Sequence, residues 1–273
     1  MSIYNADGNV INANPLYLSG MKLSLLGDSI SSYAGTVPSG NDTYYKGNNA
    51  GVTSSTQMWW NVLCTKTGLI PLVIDGYSGS GVTQLEESAH INMIPMSSDT
   101  RCGRLHSGST NPDIILIAGG LNDYTYAMSA QSEPLPWDGT TTPVIGNSFT
   151  EAYACMIKKL QTNYPKALVV ALSTFFTMRG TDNGYTFTHT VEENVYSQAD
   201  YNEAINSVAK RMHIPYIRVD DIGYNRSNMY PFFAEDSSDT PTHPNARGHR
   251  LIGEYLAVQL TSVATAYAEV IKS

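Results

Sequence analysis

Lys22-Leu23-Ser24-Leu25-Leu26-Gly27-Asp28-Ser29-Ile30 is the stretch from which the fold is read: a short apolar run stops at a glycine, and a serine follows two residues later. Four further runs have the same character: Ile70 to Ile74, Asp113 to Ala118, Ala167 to Leu172 and Pro215 to Val219. They are continuous rather than alternating, the pattern of parallel strands buried on both faces. Helical patterns separate them. Ser148 to Asn163 opens with a Ser148-x-x-Glu151 capping box and places Phe149, Tyr153, Met156, Ile157 and Leu160 on one face. Tyr201, Ile205, Val208, Ala209 and Met212 repeat that spacing behind Ser197 as a cap, and a last helix from about Asn245 carries Ile252, Tyr255, Leu256, Leu260 and Val263. Repeated strand-helix units predict an α/β fold, a three-layer α/β/α sandwich around a mostly parallel five-stranded sheet. Residues 1–20 read as an N-terminal extension and 21–273 as one domain.

Open α/β sheets place their chemistry at the carboxyl ends of the strands, which is where Ser29 falls. Three more blocks sit at strand ends or helix starts: Ser78-Gly79-Ser80, Gly120-Leu121-Asn122-Asp123, and Asp239-Thr240-Pro241-Thr242-His243-Pro244-Asn245. Acyl transfer needs a nucleophile, a base that takes its proton and donors for the oxyanion of the tetrahedral intermediate. Each residue type also has a plainer use. Ser29 can cap a helix, Asn122 can form an Asx turn, and Asp239 closes the acidic loop Glu235-Asp236-Ser237-Ser238-Asp239. Four blocks together outweigh those separate readings. Pro244 keeps the peptide before it from helix and Asn245 can cap the helix that follows, so His243 stands at a helix entrance.

In this order the blocks resemble the SGNH (GDSL-type) hydrolase family, from about Leu23 to about Leu260. The resemblance implies strand order 2-1-3-4-5, Ser29 as nucleophile and His243 as general base. It also implies an oxyanion hole made of the Ser29 and Gly79 N–H groups and the Asn122 amide, with Asp123 supporting the loop. Gly81 is the neighbouring alternative to Gly79. One departure concerns the third triad member: the family carries its acid three positions before the histidine, where this chain has Thr240, and the nearest acid, Asp239, is four before. Asp239 could orient the ring through a bulge at Pro241, a backbone carbonyl could do so in a Ser-His dyad, and Asp236 is the more distant choice.

With 16 Lys and Arg against 24 Asp and Glu, a net charge of -8 and no basic run, the chain is poorly suited to nucleic acid or anionic membranes. No stretch approaches the roughly 18 apolar residues of a membrane span. The first twenty residues lack a signal-peptide pattern, which fits either a cytoplasmic chain or one whose leader has been removed. Cys64, Cys102 and Cys155 are an odd number without metal or redox spacing and read as free thiols. His90, His106, His189 and His213 show no metal-ligand spacing and His249 reads as a structural helix residue, so no metal or other cofactor is expected.

Long polar connections, Ser31 to Ser54, Tyr124 to Asn147 and Met178 to Asp200, are expected to rise over the edge that carries Ser29. Their aromatic residues, Tyr33, Tyr44, Tyr45, Tyr124, Tyr126 and Trp137, are candidates for a substrate platform, while Trp59 and Trp60 read as core residues, with exposure expected of one ring at most. Only 15% of residues are charged and Tyr numbers 18, a composition suited to uncharged polyhydroxy ligands. No Gly-x-Ser-x-Gly elbow occurs, against a classical α/β-hydrolase. The expected activity is that of a serine esterase acting on short-chain or carbohydrate-linked O-acetyl esters, its partner a small-molecule or glycan ester. A non-catalytic carbohydrate-binding module on the same fold and a lipase or thioesterase of the same family are the alternatives.

Overall fold

The computed structural model describes residues 18–126, 129–177, 194–224, 228–233 and 242–267, and the backbone alone of 3–4, 10–11, 188–191 and 268–271. Five parallel strands form the central sheet: β1 (Lys22–Gly27), β2 (Ile70–Gly76), β3 (Ile114–Ala118), β4 (Leu168–Leu172) and β5 (Tyr216–Ile217). Their order is β2-β1-β3-β4-β5, as expected for the resemblance. Every residue of β3 and β4 is buried. At about 1.5–3 kcal/mol for each fully buried Leu, Ile or Val, these runs contribute much of the core.

Among the described residues six α-helices flank the sheet: α1 (Trp59–Thr67), α2 (Asp99–Gly103), α3 (Leu121–Tyr126), α4 (Phe149–Asn163), α5 (Gln198–Arg211) and α6 (Ala246–Ile271). α1 packs on α6, and α4 packs on α2 and α5. Gly253 permits the first contact, since a Cβ there would lie 2.6 Å from Trp59 O. Ser197 and Asp200 form a reciprocal capping box on α5. At α4 only half of the predicted box forms. Ser148 Oγ accepts from Glu151 N–H, while the Glu151 carboxylate turns to Val144 N–H and the Asn147 amide.

Several boundaries differ from expectation. β5 is two residues rather than five, because Ser173 Oγ accepts from Val219 N–H at 2.8 Å and diverts it from the ladder. The connection read as starting at Tyr124 starts inside α3. Ile3–Tyr4 and Val10–Ile11 pair as a small antiparallel ribbon, and Thr188–Val191 pairs with Asn194–Ser197 in another. Cys64, Cys102 and Cys155 are free thiols. Among the described residues no helix is long and apolar enough to cross a membrane.

The register decides where chemistry can gather. Gly27 pairs with Gly76 on one side and Ala118 on the other, so β1, β2 and β3 end side by side. The segments that leave those three ends carry Ser29, Gly79 and Asn122.

Candidate active site

β1 ends in a glycine because the next turn folds back onto it. Residues Ser29–Ser31 form a single 3-10 turn, and a Cβ on Gly27 would lie 2.5 Å from Ser31 Oγ. Gly76 ends β2 for the same reason, its virtual Cβ being 2.9 Å from the Ser32 backbone. Asp28 caps the turn by accepting from Ile30 N–H at 2.9 Å, and Trp60 Nε1 donates to Ser31 O at 3.1 Å. Burial pushes the Asp28 carboxyl up to about 7 despite the Ile30 hydrogen bond and the Arg101 charge.

Ser29 Oγ lies 2.9 Å from His243 Nε2, across 214 residues of sequence. His243 stands ahead of α6, where Asn245 Oδ1 accepts from the N–H groups of Arg247 and Gly248. Its ring is stacked on Tyr44, and the phenol of Tyr45 donates to Pro244 O at 2.8 Å. His249 is fully buried on α6 and its Nδ1 accepts from Trp59 N–H. Desolvation, with a lesser contribution from His243, takes its pKa down to about 3, so it is neutral at physiological pH. Asp239 and Asp236 lie outside the described residues.

Consecutive residues of α3 hold the turn after β2. Asn122 Nδ2 donates to Ser80 O at 2.9 Å. The Asp123 carboxylate accepts from Val82 N–H, Thr83 N–H and the Thr83 hydroxyl at 2.7–2.9 Å. Asp123 is fully buried and its pKa is raised by desolvation, opposed by those donors. Gly79 has φ +80, a conformation that favours glycine, and a Cβ there would lie 2.5 Å from the His90 ring. At Gly81 a Cβ would meet Asp123 Oδ1 at 3.0 Å.

Two features of the site were not anticipated. Arg101 of α2 is completely buried and donates to Asp75 Oδ1, Asp75 O, Gly27 O, Ser80 Oγ and Ile94 O at 2.6–3.3 Å. Arg104 closes the other side of Asp75, with Nε 2.6 Å from Oδ2. Burial lowers the Arg101 pKa, opposed by Asp75. An aspartate at the end of Leu72-Val73-Ile74 was the available signal, since a charge buried in a strand requires a partner. The second is the connection between β2 and α2, where His90 pairs with Glu87, its ring centroid lies 4.2 Å from that of Tyr126, and His90 and Met93 cover Gly79.

The aromatic platform is corrected in part. Tyr124 is fully buried against Tyr201, and Trp137 is 7% exposed with its indole N–H donating to Thr141 O, so neither presents a face to solvent. Their rings complete the hydrophobic core. Trp59 and Trp60 are both buried, so neither ring is exposed. Tyr33 is half-buried and donates to Thr53 O. Among the described residues no three His, Cys, Asp or Glu side chains gather as a metal cage.

A family model described as GDSL-like Lipase/Acylhydrolase matches residues 21–231. Comparison with curated proteins gives no match. Among solved structures, one described as a GDSL-like lipase from Bacteroides uniformis has 23% identity and a TM-score of 0.60, covering 89% of this chain and 96% of that one. A carbohydrate esterase family 2 enzyme with its carbohydrate-binding domain from Corynascus thermopiles (Myceliophthora fergusii) has 18% identity and a TM-score of 0.57, over 95% of this chain and 70% of that one. A carbohydrate acetylesterase from Sinorhizobium meliloti has 12% identity and a TM-score of 0.54, over 89% and 99%. At these identities the likeness is one of fold.

Proposed function

The chain belongs to the GDSL-like lipase/acylhydrolase family, and on that premise we propose that it is a serine esterase acting on short-chain or carbohydrate-linked O-acetyl esters. The observation that carries the reading is the 2.9 Å contact between Ser29 Oγ and His243 Nε2 at the shared ends of three strands. Ser29 Oγ attacks the ester carbonyl carbon while its proton passes to His243 Nε2. The tetrahedral intermediate collapses, the C–O bond to the alcohol breaks, and the alkoxide takes that proton. Water then attacks the acyl-enzyme, giving its proton to Nε2, and the carboxylic acid leaves as Ser29 recovers its hydroxyl proton.

The N–H groups of Ser29 and Gly79 and the second hydrogen of Asn122 Nδ2 are the proposed oxyanion donors. Asn122→Ala is expected to raise the barrier by about 2.7–4 kcal/mol, mostly in kcat. A normal kcat in that variant would remove Asn122 from the site. Asp123 holds the same turn through Val82 and Thr83. We keep Asp239 as the third triad member: Asp239→Asn should lower kcat by up to about 10⁴-fold if its carboxylate orients His243. A change below about tenfold would assign that role to a backbone carbonyl, in a Ser-His dyad.

Ile91 and Ile94 flank His90 and Met93 and are 50% and 38% exposed, which favours a second reading, a longer-chain lipase or thioesterase. A panel of p-nitrophenyl acetate, butyrate and octanoate with acetylated xylan separates the two. Acetate and acetylated xylan are the expected substrates; much faster octanoate hydrolysis would favour the second reading. Fluorophosphonate should add one covalent mass at Ser29, and failure to label together with retained glycan binding would identify a binding module.

A further inference from the structure

Two adjacent tyrosines join the halves of the site. Tyr44 N–H donates to Ser32 Oγ at 2.9 Å, and that hydroxyl donates to Ser29 O at 3.0 Å. Tyr45 N–H donates to Ser32 O, Ala34 N–H donates to Tyr45 O, and the Tyr45 phenol reaches Pro244 O. The Asn49 amide holds Tyr44 O. This dipeptide is therefore fastened on one side to the turn carrying Ser29 and on the other to the residue after His243.

Against that support the Tyr44 ring lies face to face with the His243 imidazole, centroids 3.4 Å apart and planes within 7°. Tyr45 meets Tyr44 and His243 edge-on instead, at 81° and 82°. Neutral aromatic rings disfavour an unshifted sandwich because their negative faces repel. A cation over the same face is attracted. The Tyr44 arrangement thus suits imidazolium better than imidazole, and imidazolium forms only when the Ser29 proton arrives. An interaction that strengthens as charge develops lowers the barrier, whereas one equal in both states does not.

We propose that Tyr44 is a positioning residue for the general base, its ring fixing the plane of His243 and stabilising the imidazolium formed by proton transfer from Ser29. The proposal rests on the reading of His243 as that base. The described groups packed around the imidazole include Ser29, Tyr44, Tyr45 and neutral His249; Asp28 stands beside Ser29, and exposed Arg247 lies four residues on, over Phe232. The acidic run 235–239 lies outside the described residues.

The test measures kcat and KM from pH 5 to 9 for wild type, Tyr44→Leu, Tyr44→Phe and Tyr44→Trp. Tyr44→Leu should lower kcat about 3- to 30-fold with KM within about twofold, and lower the apparent pKa of the acidic limb by about 0.5–1 unit. Tyr44→Phe, which keeps the ring, should restore both, and Tyr44→Trp should hold the pKa at or above wild type. An unchanged pKa in Tyr44→Leu, or an effect confined to KM, would overturn the proposal, the latter making Tyr44 a substrate contact. An NMR titration of the His243 ring, assigned with His243→Gln, reads the same pKa without substrate. If no ester is hydrolysed, the esterase reading fails while the titration still decides on Tyr44. If Tyr44→Leu does not fold, the Phe and Trp variants decide: a pKa in either more than about 0.5 unit below wild type overturns the proposal, and values at or above wild type support it.

Discussion

Replacing Ser29 with alanine is expected to lower kcat by about 10⁶-fold, the scale on which serine hydrolases lose activity when nucleophile or base is removed. The loss should be nearly complete because the hydroxyl removed is the one that lies 2.9 Å from Nε2 of the proposed base, His243. His243→Ala should fall to a similar level, and the double variant should be little worse, since the two groups act as one unit. Stability should hardly change. The substitution deletes one oxygen at the sheet edge, while the turn is held by Asp28, Ser32 and Trp60 rather than by the Ser29 hydroxyl. Activity assays beside thermal melts check both parts. A Ser29→Ala protein that melts like wild type and keeps more than about a hundredth of its kcat would end the assignment.

The second large effect is on folding. Arg101→Met is expected to cost about 3–5 kcal/mol of stability, the range for removing one member of a buried ion pair. Asp75 is fully buried and would keep Arg104, but its Arg101 bonds would be lost, along with those to Gly27 O and Ser80 Oγ. Arg101→Lys should recover only part, because an ammonium cannot reproduce the planar fork. Urea unfolding gives the difference directly. A loss below about 1 kcal/mol would mean that Arg104 and Asn41 suffice to neutralise and hold Asp75.

The layered sheet was legible because burial on both faces leaves a continuous apolar run, and such runs survive in one dimension. The helix patterns at Ser148 and Ser197 were legible for a similar reason, since capping and facial periodicity are local. The aromatic loops were not. Tyr124 and Trp137 belong to polar stretches in sequence, yet each turns inward to complete the core, and a partner such as Tyr201, far from Tyr124 in sequence, is brought there only by the fold. The half-formed box at Ser148 has a local cause, because the Glu151 carboxylate is claimed by Val144 and Asn147 just ahead of the helix.

For the candidate site, residue types at strand ends and helix starts, together with the family resemblance, point to Ser29, Gly79, Asn122 and His243. Chemistry is written in side chains, and a hydroxyl, an imidazole and an amide at strand ends are readable as such. Their juxtaposition was decided by the tertiary structure alone. The equal ending of β1, β2 and β3 brings the three segments together, and Tyr44 lies against His243 only because the fold carries residues far apart in sequence to one place. Asp75 in its apolar run signals that a cation is required, but Arg101 is an ordinary charged residue in a five-residue helix until folding pairs the two. Distance and desolvation are properties of the folded chain, and residues far apart in sequence acquire them only on folding.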